Sequence, residues 1–289
     1  MKGLLIVNNF VHATKFSELY DLLCKSAKRL EICLDVKKTG DILHNLDNIN
    51  EERYDFILFW DKDTVLANMF ELCGYRVFNS SNAIMNCDNK ANTSVLLQKA
   101  NVRIPKTFIA PLTFEGLGYN DLTFVNSISD ILGYPMIIKE LYGSFGQQVY
   151  MVKNTDEMKD IITKLGHKGF LMQEYIESSR GRDIRINVVG NRAISSMLRY
   201  NEHGDFRSNI SNGGSMKKYD INEEQRTIAI EACKALNLDF AGVDVMFGKY
   251  DEPIICEVNS NPHFKSTLQC TGVDMSFEIL SYIKSELLR

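Results

Sequence analysis

The sequence predicts an α/β protein in which a mostly parallel α/β segment is followed by mixed α+β segments. Two observations carry the prediction. Between Leu4 and Phe78, short apolar runs alternate with helically spaced residues, the order of an open, mostly parallel sheet. Near the other end, the apolar runs Phe240–Phe247 and Ile254–Val258 flank a turn of Gly248, Lys249, Tyr250, Asp251 and Pro253, the pattern of a β-hairpin.

Taken in order, Leu4–Val7 reads as a buried strand ending at Asn8 and Asn9. Phe16, Leu19, Tyr20, Leu23, Ala27 and Leu30 then fall at helical spacing. Strands are expected at Ile32–Val36 and Tyr54–Trp60, a helix over Thr64–Leu72, and a short strand at Tyr75–Phe78. Ligands meet such sheets at the carboxyl ends of the strands, which makes Asn8, Asn9, Asp61 and Asp63 weak candidates for substrate contact. Ser80-Ser81 reads as one helix cap and Asp88 as the cap of a second helix running to Ala100. Thr107–Asp121, with Pro111, Gly116 and Gly118, reads as a linker. Strands follow at Met136–Lys139, Val149–Val152, Phe170–Tyr175, Ile184–Val189 and Ala193–Tyr200. Helices are expected at Glu157–Leu165 (capped by Thr155-Asp156), Glu223–Leu236 and Met275–Leu288, and Asn201–Ser215 is polar.

Composition sets outer bounds. A formal charge of −4 argues against nucleic acid as an obligate partner, which would need a basic surface. No apolar run is long enough to span a membrane, and MKGLLIV is too short for a signal-peptide core. The seven cysteines lack any CxxC pairing and several lie in apolar runs, the pattern of buried free thiols in a reducing cytoplasm. No GxGxxG and no GxxxxGK[ST] is present, and none of the five histidines has a partner at metal-ligand spacing.

The hairpin carries the first chemistry. Asp244 and Glu257 stand where apolar residues are expected, and alternation puts Glu257 and Asn259 on one face. Two buried carboxylates repel and lose hydration unless a cation lies between them, and two carboxylates with an amide oxygen suit Mg²⁺ or Mn²⁺. The plain alternative is a solvated acidic face, for which the surrounding Ala241, Val243, Val245, Ile255, Cys256 and Val258 leave little room.

Three further groups are weak singly. Lys139 precedes Gly143-Ser144-Phe145-Gly146-Gln147-Gln148, a loop able to turn backbone N–H groups onto phosphate, although such a turn is more often only a turn. Gln173-Glu174-Tyr175-Ile176-Glu177 is a strand running into a loop that could meet a base and a ribose. Arg182, Asp183, Arg185 and Arg199, followed by Arg207-Ser208-Asn209 and Asn212-Gly213-Gly214-Ser215, would alone read as a salt-bridged sheet surface. Close to an acidic hairpin they suit a transferring phosphoryl group.

Together the order of Lys139, Gln173-Glu174, Asp183-Ile184-Arg185, Gly204–Asn209, Gly213-Gly214-Ser215, Ala241-Gly242-Val243-Asp244 and Glu257-Val258-Asn259-Ser260 resembles the ATP-grasp superfamily. The resemblance covers roughly residues 80–289 and is nearest to RimK-type α-L-glutamate ligases. It implies a pre-ATP-grasp α/β domain over 1–88, a central lid subdomain over 89–176 and a metal-binding subdomain over 177–289. It also implies that Lys90 and Lys139 contact ATP phosphates under a lid loop containing Gly143, Ser144 and Gly146. Glu174 and Tyr175 would hold adenine, Asp183 the ribose, and Arg207, Ser208 and Asn209 would lie in the nucleotide and phosphate site. Asp244, Glu257 and Asn259 would bind two Mg²⁺ or Mn²⁺ ions, while Arg185 and Arg199 steady an acyl-phosphate.

The implied reaction is a ligation with ATP as substrate. A carboxylate takes the γ-phosphoryl group, and an amine, typically of an amino acid such as glutamate, then displaces phosphate to form an amide. The acceptor could be a small molecule, peptide or protein in the cytoplasm. Its identity, the number of additions and a homo-oligomeric state stay open. A small-molecule kinase and a non-catalytic nucleotide-binding regulatory module are the alternatives. The resemblance is interrupted at Asn261-Pro262-His263-Phe264-Lys265 and in the lid sequence GSFGQQV, where substrate choice is expected to be set.

Overall fold

The computed structural model describes residues 1–42, 53–144, 146–210 and 213–289, so Phe145 and Asn212 of the motifs above lie outside the described residues. Strands β1 (Lys2–Val7), β2 (Cys33–Lys38), β3 (Phe56–Trp60) and β4 (Val77–Phe78) form a parallel sheet of order β2-β1-β3-β4. The buried runs of β1 and β3 are those of inner strands covered on both faces, whereas β2, with exposed Lys38, lies at the edge. Helix α1 (Thr14–Arg29) turns Leu19, Leu23 and Ala27 toward one face, and α2 (Thr64–Leu72) turns Leu66, Ala67 and Phe70 toward the other.

A second sheet joins β5 (Thr107–Ile109), β8 (Phe170–Glu174), β6 (Met136–Glu140) and β7 (Val149–Val152) in that order, all antiparallel. Its core is filled from α5 (Thr123–Leu132) and α6 (Thr155–Leu165). The third sheet, of order β11-β10-β9-β12-β13, comprises β9 (Arg182–Val189), β10 (Arg192–Tyr200), β11 (Ser215–Lys218), β12 (Phe240–Phe247) and β13 (Pro253–Asn259). Ile184, Ile186 and Val188 of β9 and Ala241, Val243 and Val245 of β12 share a core with Ile228, Ala229 and Ala232 of α7 (Glu223–Ala235). Period-two alternation therefore turns Asp183, Arg185, Asn187 and Asp244 to the opposite face, away from the helix.

The first and third sheets meet through a shared core. Trp60, which ends β3, stacks on Phe240, which begins β12, at 5.5 Å and 11° between planes, and Phe264 meets Trp60 edge-on. Ile279, Leu280 and Ile283 of α9 (Met275–Leu287) join that core beside Leu19 and Leu23. Fully buried Asn79 closes the seam: its amide donates to the carbonyls of Phe240 and Ser260 and accepts from the backbone N–H groups of Asp239 and Phe240.

Several expectations are corrected. The supposed linker contains β5, whose three residues are a strand only because β8 supplies the ladder. The helices α5 and α8 (Lys265–Thr271) and the strand β11 had no matching expectation. Helix α3 (Ser81–Asp88) is capped by Ser80 as expected, but α4 (Lys90–Lys99) is capped by Asn89, because Asp88 pairs with Lys62. Asn154 caps α6 in place of Thr155-Asp156. All seven cysteines are free, yet Cys33 and Cys73 are exposed rather than buried. Among the described residues, no helix is long and apolar enough to cross a membrane.

Candidate active site

The face of the third sheet turned away from α7 carries a charged quartet set by strand register. Asp244 of β12 lies opposite Arg185 of β9 on one side and Glu257 of β13 on the other, while Asp183 lies opposite Arg199 of β10. Arg185 donates from Nε to Asp244 Oδ1 and from Nη2 to Oδ2 at 3.0 Å. Arg199 donates from Nε and Nη2 to the two oxygens of Asp183, at 2.7 and 2.6 Å, and its Nη2 also reaches Asp244 Oδ2 at 3.0 Å. All four residues are buried. Burial pushes the Asp244 carboxyl up, but the guanidinium groups of Arg185 and Arg199 outweigh it and hold the group below the usual carboxylate range. Burial correspondingly lowers Arg199, and Asp183 and Asp244 raise it further, so the guanidinium stays charged. Gly242 makes room for this packing, since a Cβ there would lie 3.0 Å from Arg185 Nη1 and 2.8 Å from Pro262 Cβ.

The hairpin pairs as expected, with a bulge between Asp244 and Val245. Its electrostatics differ from the expectation of two carboxylates awaiting one cation. Arginines from β9 and β10 already compensate Asp244, and Glu257 lies 3.6 Å from Lys90. Among the described residues, no cluster of three or more acidic, histidine or cysteine side chains is arranged for a metal. The donors open to a hard cation are the partly exposed Glu257 carboxylate and the Asn259 amide. Asn259 Nδ2 is buried without a partner, and half a turn of that amide presents an oxygen in its place. Glu257 and Asn259 therefore fit a magnesium-like ion, and Asp244 would join them only by giving up an arginine contact.

Between the second and third sheets lies a cleft of about 110 Å³. Buried Lys139 and Gln173 line it together with Glu174, Tyr175, Ser208 and Asn209. Glu174 Oε1 accepts from the Lys106 backbone N–H, and the Tyr175 hydroxyl is buried without a partner, its phenol pushed up by burial. Lys90 Nζ donates to the Gly143 carbonyl at 3.3 Å. Gln148 Oε1 accepts from the Ser144 N–H, which braces the loop, and Gly146 holds the left-handed φ of 71° that its turn requires. Arg207 spans the opening: its Nη1 donates to the Gly146 carbonyl at 2.9 Å, while Nε and Nη2 are held by Asp205. Asp205 lies within the Gly204–Asn209 motif of the resemblance, but the sequence assigned it no role; its hold on Arg207 shows only in the structure. Asp183, proposed for a ribose, has both oxygens in the fork of Arg199.

A larger cavity of about 650 Å³ opens on the other side of the quartet, against the first sheet. It takes Asn8 and Asp61 from the carboxyl ends of β1 and β3, Lys15 and Tyr20 from α1, and Asn261, His263 and Lys265 from the segment after β13. The strand-end rule pointed to Asn8 and Asp61, but no sequence signal marked Lys15 or Tyr20. The two spaces share Lys90, Arg199, Asn209, Asp244 and Glu257.

Comparison with known proteins agrees with this architecture. The family model of the RimK-like ATP-grasp domain matches residues 87–283. A probable α-L-glutamate ligase of Trichodesmium erythraeum is 34% identical over 227 residues, which cover 78% of this chain and 73% of that protein. An uncharacterized protein of Mycoplasma pneumoniae is 33% identical over 267 residues, covering 91% and 92%. Among solved structures, a RimK domain ATP-grasp protein from Sphaerobacter thermophilus superposes with a TM-score of 0.75 over 98% of this chain and 99% of that one, at 16% identity. D-alanine–D-alanine ligase from Bacillus anthracis, complexed with ATP, gives 0.74 over 100% and 98%, at 17% identity. At such identities the structural likeness is one of fold. With the family match and the sequence relatives spanning most of its length, the chain belongs to the RimK-like ATP-grasp family of carboxylate–amine ligases.

Proposed function

We propose that the protein uses ATP to activate a carboxylate as an acyl-phosphate and joins it to the amine of an amino acid, with glutamate the first candidate. The observation that carries this reading is the junction of two cavities at one charged group. A narrow cleft suited to a nucleotide and a roomier space suited to a second substrate meet at Lys90, Arg199, Asn209, Asp244 and Glu257. Phosphoryl transfer needs positioning and charge neutralisation at such a junction more than it needs a nucleophile of the protein.

In this reading the backbone around Glu174 and Tyr175 receives the adenine, with Asp183 at the ribose. Lys139 and Lys90 lie along the phosphates beneath Gly143, Ser144 and Gly146. Arg207, Ser208 and Asn209 close the cleft from the opposite side, and the Arg207 contact to Gly146 ties the loop down over the phosphates. Arg185 and Arg199 present guanidinium N–H groups on the sheet face where charge accumulates during transfer. Glu257 and Asn259, with Asp244 on exchange of an arginine contact, would hold two Mg²⁺ or Mn²⁺ ions. Bound there, the ions would supply Lewis-acid neutralisation of the phosphate oxygens.

The test is a screen of amino acids and carboxylates for ADP release in Mg²⁺, followed by mass spectrometry. A product whose mass equals the two substrates less water is expected. A stable phosphorylated product with no amine requirement would replace this reading with a kinase. ATP binding with no turnover across the panel would replace it with a regulatory module.

A further inference from the structure

Two residues that line the larger cavity each keep a buried side-chain oxygen without a partner, and a hydrogen bond joins the two residues. Asp61, only 8% exposed, follows β3. Its Oδ1 accepts from the Asn8 side-chain amide at 3.2 Å and from the Lys62 backbone N–H, while its Oδ2 is buried with no hydrogen-bond partner among the described residues. Asn261, from the segment where the family resemblance breaks, donates its amide N–H to the Asp61 main-chain carbonyl at 2.9 Å. Its own Oδ1 is likewise buried and unpartnered. Both residues line the cavity.

Charge narrows what can fill the gap. The other acids of the cavity have cations: Asp88 pairs with Lys62, Asp244 with Arg185 and Arg199, and Glu257 with Lys90. Lys265 is taken by Glu18. Among the described residues, Asp61 has no ion-pair partner. A buried carboxylate oxygen and a buried amide oxygen on two hydrogen-bonded residues are two acceptors without a donor, which costs free energy until N–H groups arrive. A water molecule brings donors but no charge. A primary ammonium brings three donors and the missing positive charge on one atom. The adjacent Tyr20 ring and hydroxyl give the subsite a partly apolar side.

We infer that Asp61 Oδ2 and Asn261 Oδ1 form the subsite for a primary ammonium group, that of an amino acid substrate of the ligase. The inference rests on the ligase reading and deepens it by assigning the amine-bearing substrate to the space between the first and third sheets. The role is binding and selection of the ammonium form, with no proton transfer assigned to Asp61.

The experiment uses the full chain with ADP and Mg²⁺. Each proteinogenic L-amino acid is titrated beside its desamino acid by calorimetry, in the wild type, Asp61→Asn and Asn261→Ala. At least one amino acid should bind where its desamino counterpart does not. Asp61→Asn should weaken that binding at least tenfold, and Asn261→Ala should weaken it in the same direction. Methylammonium chloride should compete while potassium chloride at equal ionic strength does not. The assignment is overturned if ADP binds but no amino acid gains from its ammonium, if both variants bind it as tightly as the wild type, or if potassium competes equally. Should Asp61→Asn fail to fold, Asn261→Ala alone decides. Failure of the wild type to bind ADP strikes the ligase reading itself.

Discussion

Replacing Arg199 with alanine tests whether the charged quartet is a balanced unit. Arg199 makes both guanidinium contacts to Asp183 and one to Asp244, and all three residues are buried. The quartet holds two positive and two negative groups, so removal of Arg199 leaves Asp183 without a close cation and Asp244 with Arg185 alone. Breaking one side of a buried ion pair costs about 3–5 kcal/mol, chiefly because the stranded charge remains desolvated. For a chain of 289 residues such a loss lowers the unfolding midpoint by roughly 5–8 °C. Urea titration at pH 7 measures it directly. Asp183→Asn in the Arg199→Ala background removes the stranded charge and should recover a large part of the loss, giving a coupling energy above about 2 kcal/mol in the double-mutant cycle. The sign with pH is also fixed. Burial raises the Asp244 carboxyl while Arg185 and Arg199 lower it, so loss of Arg199 moves it back up, and the variant should close part of its deficit to the wild type as pH falls and that carboxyl takes a proton. An Arg199→Ala protein within about 1 kcal/mol of the wild type, or a cycle in which the two substitutions simply add, would refute the reasoning.

Three further predictions follow from the same geometry. Lys139→Ala should lower kcat/KM for ATP by about 100-fold, as loss of one preorganised charge at a phosphoryl group does, while leaving the urea midpoint nearly unchanged; an unaltered kcat/KM would remove Lys139 from the nucleotide site. Chelation with EDTA should abolish ADP release, and Glu257→Gln should raise the Mg²⁺ concentration for half-maximal release at least tenfold; an identical Mg²⁺ curve would show that the carboxylate holds no ion. His263 is held below its ordinary value by burial and by the charges of Lys15, Arg185 and Lys265, against an opposing hydrogen bond to the Lys15 carbonyl. Its folded pKa lies under the unfolded one, so its contribution to stability is present above about pH 6.5 and lost as pH falls through the folded value. His263→Gln should flatten the stability profile below that pH, and an unchanged slope in denaturant titrations would contradict the assignment.

What could be read from the chain was local. Apolar runs with period two or 3.6 located the inner strands and most helices, and the expected hairpin forms and brings Glu257 opposite Asp244, because a hairpin pairs neighbours in sequence. The compensation of Asp244 was not legible. It depends on β9 lying between β10 and β12, an order in which Arg185 and Asp244 are brought together from 59 residues apart. Alternation showed that Asp183 and Arg185 share a face, but not that this face opposes Asp244. Elements such as β5 and β11 escaped for a related reason. Each is a few residues long, and the neighbouring strand, not its own pattern, makes it a strand.

The larger cavity shows the same limit over a longer span. Its wall depends on the carboxyl end of β3 meeting the segment after β13, and the contact from the Asn261 amide to the Asp61 carbonyl joins residues 200 apart. No periodicity encodes that meeting, yet its physical cause is visible in the side chains at the seam. Trp60 is the last residue of an otherwise aliphatic and Phe-rich strand, and its ring stacks on Phe240 within the core that the two sheets share. From the end of β4, Asn79 then satisfies two carbonyls and two N–H groups at the start of β12 and just past β13. A buried amide that completes another sheet's backbone hydrogen bonds fixes the register between the sheets, since a shift of one residue would strand those groups without partners. The first sheet is thereby held as a rigid wall of the site, which is why polar residues at its strand ends, individually unremarkable in the sequence, can act as recognition groups.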